Sequence, residues 1–281
     1  MDRGLEIESS VEKIDELANE PRLELLAKLV HFFRPDTGFE LTAESSAPAG
    51  AGLAGSSTLN IATIGALNLL VGGRYSEDRF IQIAANIECQ VIRVPTGFQD
   101  YYSAQFGGAS CIHFRPDGIY REPLKIDFSK LNERIAVCYT GEPRNSGTNN
   151  WEITKRHIDG DRELFELFEK IRDNALNVRE AIISEDWDRL GQLIAEAHPI
   201  RRSLSPNITT PQMDKVIETA LQNGAIAPKV CGAGGGGCIA FICREGEKNN
   251  VEKAIASIEG VEVIDWQPVS EGLKVSMVQA A

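Results

Sequence analysis

Residues 47–58 of this chain read APAGAGLAGSST, and the interpretation of the whole sequence starts from them. Pro48 and three glycines precede two serines, and a long apolar run follows. Glycine permits backbone conformations that a Cβ forbids, and it lets the backbone approach a ligand closely. Ser56 or Ser57 could cap the helix predicted next, whose N-terminal N–H groups and positive dipole end suit an anion. The stretch alone predicts a phosphate-binding loop or a flexible linker, in equal measure.

The composition is that of a soluble globular protein. The chain has 281 residues, of which 42% are hydrophobic and 25% charged, enough for one large domain or two modest ones. A net charge of −12 argues against broad binding to nucleic acid or to an anionic membrane. The six cysteines form no C-x-x-C pair, and residues 1–10 contain no apolar signal core. We therefore expect a cytoplasmic protein without nucleic-acid or membrane partners.

Apolar periodicity and the positions of glycine and proline predict an α+β protein. Its second half should place helices on one face of a sheet, and the domain boundary should fall near residue 132. The predicted helices are 22–33, 59–71, 76–91, 99–106, 150–158, 162–184, 187–198, 211–222 and 247–258. The predicted strands are 5–7, 39–43, 110–114, 119–126, 134–140, 227–231, 238–243, 261–266 and 273–277.

A second glycine-rich stretch, residues 229–238 with the sequence KVCGAGGGGC, separates two apolar strands. A hairpin turn needs only one or two glycines, and each further glycine costs about 0.5–1 kcal/mol in regular structure. Close approach of the backbone to a ligand would explain the run, and a floppy connection is the alternative. We favour the ligand.

Two carboxylates stand between the glycine-rich stretches. Asp100 lies at a predicted helix start, where it could act as a base on a hydroxyl or simply cap the helix. Glu88 lies near the end of a predicted helix, and on its own a solvated charge is expected there. Together with Ser56 or Ser57, however, it would supply the hard oxygen ligands that Mg2+ takes beside nucleotide phosphates.

These motifs, in this order, resemble the GHMP kinase superfamily, and in particular its branch of heptose 7-phosphate kinase-like sugar kinases. The family's phosphate loop, P-x-G-x-G-L-G-S-S, is matched at Pro48, Gly50, Gly52 and Leu53, whereas Ala54 and Gly55 stand where glycine and serine are usual. Residues 232–237 match the C-terminal glycine motif. Residues 97–108, GFQDYYSAQFGG, and 198–206, HPIRRSLSP, are similar to the sugar kinase branch.

The resemblance implies a two-domain fold with domains at residues 1–132 and 133–281. The first would be a ribosomal protein S5 domain 2-like, ATP-binding domain, and the second a ferredoxin-like α+β domain. The family's opening motif, P-x-R-(I/L)-x-(F/L)-x-G-G-x-T-D, is missing before Pro48, so the N-terminal domain is expected to be truncated at its start. A start codon placed too far downstream would explain this. The alternative is a catalytically inactive homologue that binds a nucleotide or metabolite.

The resemblance also implies a mechanism. ATP would bind along the phosphate loop, Mg2+ at Ser56, Ser57 and Glu88, and Asp100 would take the proton from a hydroxyl of a sugar or sugar phosphate. A monomer or homodimer is expected. The residues implied for ATP are Pro48, Gly50, Ala51, Gly52, Leu53, Ala54, Gly55, Ser56 and Ser57. The residues implied for the substrate are Gln99, Tyr102, Gly232, Ala233, Gly234, Gly235 and Arg201, although core packing would equally explain the tyrosine and a basic helix end the arginine.

Overall fold

A computed structural model describes Glu16 and residues 23–47, 50–143 and 148–278. The chain forms two compact units. Unit 1 comprises Met1–Pro48, Ala54–Gly108 and Ser270–Ala281, and unit 2 comprises Ala49–Leu53 and Ala109–Val269. The boundary predicted near residue 132 lies inside unit 2, and it remains a prediction about the extent of the domains. The strand predicted at residues 5–7 lies outside the described residues.

Helices form the described core of unit 1. They are α1 (Glu24–Phe33), α2 (Gly55–Leu70), a 3₁₀ turn (Glu77–Arg79), α3 (Phe80–Ile92) and α4 (Gln99–Phe106). Apolar residues at helical spacing make one buried cluster that includes Phe33 of α1, Ile64 of α2, Ala84 of α3 and Tyr101 of α4. The helices predicted from periodicity in this region are therefore confirmed.

Two strand predictions in unit 1 are wrong. Residues 39–43 and 273–277 alternate in polarity, yet neither segment is a strand in the structure. The first segment is mostly exposed. In the second, the Leu273 N–H donates to the carbonyl of Gln105 at the end of α4, over 3.1 Å. Alternation alone does not make a strand, because a strand also needs a neighbouring strand to share its hydrogen bonds.

Unit 2 contains a hairpin, a four-stranded sheet and six helices among the described residues. The strands are β1 (Ala109–Arg115), β2 (Gly118–Leu124), β3 (Ile135–Tyr139), β4 (Ala225–Val230), β5 (Cys238–Cys243) and β6 (Glu262–Val263). The helices are α5 (Phe128–Arg134), α6 (Thr148–Ile158), α7 (Arg162–Ile183), α8 (Trp187–Arg202), α9 (Pro211–Gln222) and α10 (Lys248–Ala256). Only the short α5 was not predicted.

The sheet has the strand order β4-β5-β3-β6 and is antiparallel throughout. One face packs on α9 and α10, where Phe241 of β5 meets Met213 and Ile255. The prediction that helices cover one face is wrong, because α8 packs Leu193 against Ile242 on the other face. The α+β class itself is confirmed. Among the described helices, none combines the length and the apolar character that crossing a bilayer requires.

Candidate active site

Helix α2 begins within the phosphate-loop motif, at Gly55. Ala54 occupies the N-cap position in the left-handed conformation, with φ 60° and ψ 26°, and no side chain caps the helix. The predicted cap by Ser56 or Ser57 is therefore wrong, since both residues lie within the first helical turn. In such a turn the first N–H groups have no acceptor inside the helix. They remain available for an anion.

The spacing of the loop glycines also fits the dinucleotide-binding pattern G-x-G-x-x-G at Gly50, Gly52 and Gly55. That pattern identifies a dinucleotide site only when a strand precedes it within a β-α-β unit. Residues 39–46 form no strand. The dinucleotide interpretation therefore fails on its structural context.

In unit 1 the structure brings Ser56 and Glu88 together. Glu88 lies on α3 and is 7% exposed, so the solvated charge expected from its position alone is wrong. The Ser56 hydroxyl donates to Glu88 Oε1 over 2.8 Å. Ser57 is also buried. Of the two serines, Ser56 is thus the one whose oxygen lies beside the carboxylate.

A tyrosine hydroxyl holds the second oxygen of this carboxylate. Tyr101 on α4 is fully buried, and its hydroxyl donates to Glu88 Oε2 over 2.5 Å. The Thr96 hydroxyl lies 3.3 Å from the same tyrosine oxygen. Burial and the bond to Glu88 raise the pKa of Tyr101 above its ordinary value, so the hydroxyl remains a donor at neutral pH. No separate signal in the sequence indicates this role, because a buried tyrosine at helical spacing is also what core packing predicts.

The residues around Glu88 fit a divalent cation. Within the described parts of the chain, no lysine or arginine pairs with Glu88, and its recorded partners are two neutral hydroxyls. A buried carboxylate without a counter-charge is costly, and a cation removes that cost. Mg2+ prefers hard oxygen ligands such as a carboxylate and a hydroxyl.

Asp100 lies in the first turn of α4, one residue before Tyr101. Successive helical residues point about 100° apart, and Asp100 is half-buried where Tyr101 is fully buried. Gln99 is exposed, and Tyr102 stacks on Phe106 with ring centroids 6.1 Å apart. The structure therefore places Asp100 on the element that contacts Glu88. The substrate roles of Gln99 and Tyr102 stay predictions.

In unit 2 the first half of the phosphate-loop motif packs on the sheet. Ala51 is 2% exposed and lies against Val137 of β3 and Cys238 of β5. The Cys238 N–H donates to the Ala51 carbonyl over 2.7 Å. The sheet thus fixes residues 50–53 at the point where the second glycine run enters β5.

Close backbone packing requires glycine at two positions of this run. A Cβ on Gly234 would lie 2.4 Å from the Ile208 carbonyl oxygen, and one on Gly237 would lie 2.6 Å from that of Ala51. Both residues also have positive φ, at 81° and 83°. The Thr140 hydroxyl donates to the Gly237 carbonyl over 2.8 Å, a contact that the sequence did not suggest. The alternative of a floppy connection is therefore wrong, because backbone contacts fix the run.

The Arg201 side chain contacts the backbone of this glycine run. The guanidinium on α8 donates to the carbonyls of Val230 and Gly232. An anion contact for Arg201 stays a prediction. The structure shows that the side chain also holds the start of the glycine run. The substrate roles of Gly232, Ala233, Gly234 and Gly235 likewise stay predictions.

A separate polar cluster lies on the hairpin of unit 2. Cys111, His113 and Glu122 place possible metal-ligand atoms within 4.8 Å of one another. His113 Nε2 lies 2.8 Å from Glu122 Oε2, and Arg179 of α7 donates to both carboxylate oxygens. Arg179 and His113 lower the pKa of Glu122 to about 2. We assign the cluster to an ion pair that joins the hairpin to α7, because the arginine already supplies the counter-charge.

Two family models match this chain, one in each half. The model described as GHMP kinases N terminal domain matches residues 22–108, and that described as GHMP kinases C terminal matches residues 178–261. With the α+β fold, these matches define the chain as a kinase. It belongs to the GHMP kinase superfamily, as the sequence motifs predicted.

Relatives with named activities agree with this family. The chain is 28% identical over 271 residues to D-glycero-alpha-D-manno-heptose 7-phosphate kinase of Campylobacter jejuni, covering 92% of this chain and 78% of the relative. It is also 28% identical over 246 residues to mevalonate kinase of Pyrococcus horikoshii, covering 86% and 70%. A crystal structure of a candidate sugar kinase from Campylobacter jejuni superposes with a TM-score of 0.70 at 25% identity, covering 90% of this chain and 74% of that one. The fold is that of GHMP kinases.

Proposed function

We propose that this protein transfers the γ-phosphoryl group of ATP to a hydroxyl of a sugar or sugar phosphate, with Mg2+ as cofactor. The observation that carries the proposal is the buried Glu88 carboxylate, bonded to Ser56 in the first turn of α2. A helix start favours phosphate through its free N–H groups and its dipole, and the carboxylate beside it favours a cation. ATP binds to proteins through its phosphates together with a divalent cation, so a site that favours both fits ATP.

The roles of the residues follow from their positions. The backbone N–H groups of residues 50–57 would bind the phosphates, and Ser56 with Glu88 would hold Mg2+. When bound, that ion neutralises charge on the phosphates as the γ-phosphoryl group leaves. Asp100 orients the acceptor hydroxyl and accepts its proton, which strengthens the oxygen as a nucleophile.

The acceptor class rests on the comparison with the heptose 7-phosphate kinase. At equal identity, that relative aligns with more of this chain than the mevalonate kinase does, 92% against 86%. The similarity of residues 97–108 and 198–206 to the sugar kinase branch points the same way. We therefore propose a sugar, or a sugar that already carries a phosphate, and we place the enzyme in the cytoplasm as a monomer or homodimer.

A coupled assay for ADP tests the proposal. The purified chain with Mg2+ and ATP should form ADP when a panel of free and phosphorylated hexoses and heptoses is supplied. Asp100→Asn should lower kcat by about 100-fold or more, the usual contribution of a general base. Asp78→Asn, at an exposed position before α3, is the matched control and should leave kcat unchanged.

The alternative of a binding protein gives a different result. In that case Mg2+ and ATP would raise the melting temperature, because a ligand that binds only the folded state stabilises it. No member of the panel would then yield ADP. That outcome would overturn the kinase proposal.

A further inference from the structure

We infer that Tyr101 is a positioning residue for the cation site, acting by fixing the Glu88 carboxylate through its hydroxyl. The inference rests on the proposed function, in which Glu88 holds Mg2+. Tyr101 would not touch the ion, ATP or the sugar. Its contribution would be to keep the carboxylate in one orientation before the ion arrives.

Each oxygen of the Glu88 carboxylate accepts a hydrogen bond from a different hydroxyl. Oε1 accepts from Ser56, and Oε2 accepts from Tyr101 over 2.5 Å. Each oxygen therefore has a fixed neighbour, and the plane of the carboxylate is defined. Each oxygen also retains a further lone pair, because an ionised carboxylate offers about four acceptor sites. The hydroxyls orient Glu88 and leave it able to bind a cation.

Packing fixes the Tyr101 side chain, which is the donor to Oε2. The Tyr101 ring is fully buried among the helices of unit 1, and Phe98 packs edge-on against it at 6.4 Å. The single hydroxyl hydrogen of Tyr101 goes to Glu88, so the tyrosine oxygen can act only as an acceptor in its 3.3 Å contact with the Thr96 hydroxyl, which also lies 3.4 Å from the Gly97 carbonyl oxygen. A donor that itself accepts a hydrogen bond is polarised and strengthened. The series of hydroxyl contacts from Thr96 through Tyr101 thus ends on the Glu88 carboxylate.

A hydroxyl that orients a metal ligand has an effect on metal affinity large enough to measure. Groups that orient a metal ligand change metal affinity by about 10–100-fold when they are removed. A hydroxyl that only filled the core would instead affect stability and leave the cation alone. The two roles can therefore be separated by measuring the ion directly.

The test compares Tyr101→Phe with the wild type in two measurements. Electron paramagnetic resonance of the free ion measures Mn2+ binding in the presence of a non-hydrolysable ATP analogue. The Mn2+ affinity of the variant should be about tenfold weaker than that of the wild type. In turnover, the Mg2+ concentration that gives half-maximal rate should rise by a similar factor. The kcat at saturating Mg2+ and the KM for the sugar should stay near wild type.

Two further variants complete the design. Tyr75→Phe is the matched control, since the recorded hydrogen bonds between Tyr75 and Asn68 run through the tyrosine backbone, and Mn2+ affinity should not change. Thr96→Val removes the second hydroxyl at a half-buried position and should weaken Mn2+ binding about twofold to threefold. It replaces Tyr101→Phe if that variant fails to fold.

The outcomes separate this inference from the proposed function. Unchanged Mn2+ affinity in Tyr101→Phe, or in Thr96→Val if it is used instead, overturns the inference even if the wild type is an active kinase. Weakened Mn2+ binding without any turnover in the wild type supports the positioning role while the proposed reaction fails. A wild type that binds no Mn2+ with the nucleotide analogue overturns both.

Discussion

Ala54 is one of the two residues at which the phosphate-loop motif departs from its family pattern, and its backbone conformation is unfavourable for a residue with a Cβ. Its φ of 60° is left-handed, a conformation that costs an L-residue about 1–2 kcal/mol relative to the right-handed region. Glycine takes it without this penalty, although glycine also loses more freedom on folding. We expect Ala54→Gly to raise the free energy of unfolding by about 1 kcal/mol, measured by urea denaturation.

Ala66→Gly, at an exposed position inside α2, is the control for that prediction. There the backbone is already helical, and glycine should lower the free energy of unfolding by about 1 kcal/mol. The two substitutions are the same chemical change, one at the N-cap of α2 and one inside it, and their effects on the free energy of unfolding should have opposite signs. Destabilisation by both would show that Ala54 carries no strain.

At the scale of single residues, the sequence indicates candidate side chains without indicating the surroundings in which they lie. The sequence predicts that Glu88 acts together with Ser56 or Ser57, and in the structure Ser56 is the serine that contacts it. Glu88 alone resembled a surface charge, since burial depends on helices that pack from elsewhere in the chain. Tyr101 could not be distinguished from a core residue, because both roles require a buried aromatic ring.

Among the elements, the β1–β2 hairpin depends on an ion pair with α7. Glu122 pairs with His113 and Arg179, which lower its pKa to about 2. Because the folded pKa is depressed, the stabilisation is present above the unfolded value of about 4.3 and is lost as pH falls towards 2. Glu122→Gln should therefore lower the melting temperature at pH 7, and the difference from the wild type should shrink as pH falls from about 4 to about 2.

The control for this pH dependence is Glu169→Gln. Glu169 pairs with Arg172 on α7, where the two side chains are 41% and 57% exposed. Exposed pairs contribute little, so this variant should melt close to the wild type across the pH range. An equal loss in both variants, or a Glu122→Gln difference that does not depend on pH, would contradict the assignment of the hairpin cluster to an ion pair.

Secondary structure was predictable where the information is local. Helices α7 and α9 follow from apolar spacing. Each begins after a residue that commonly caps helices, Asp161 or Thr210, and the side chain of that residue accepts a hydrogen bond from a backbone N–H of the first turn. The strands predicted at residues 39–43 and 273–277 failed for a non-local reason. Whether an alternating segment pairs with a strand or packs on helices depends on which partner lies beside it, and its own residues do not encode that.

At the scale of the whole molecule, the final residues return to unit 1. The backbone of residues 271–273 passes directly against that of residues 105–107, at the end of α4. A Cβ on Gly272 would lie 2.4 Å from the carbonyl carbon of Gln105, and one on Gly107 would lie 2.3 Å from that of Glu271. Further along, Leu273 and Val275 would meet a Cβ placed on Gly65 of α2. Glycines on both sides of the contact permit this close approach.

Substitution of Gly272 tests the contact between residues 271–273 and residues 105–107. Gly272→Ala should lower the free energy of unfolding of unit 1 by about 2 kcal/mol, because the backbone of Gln105 cannot move aside as a flexible side chain could. Hydrogen exchange followed by mass spectrometry should show faster exchange in α2 and α4, with β4 and β5 of unit 2 unchanged. Gly38→Ala is the control, since a Cβ there would meet nothing within 4 Å, and it should leave exchange as in the wild type. Uniformly faster exchange in both units would mean that the C-terminal segment stabilises the whole chain and not unit 1 alone.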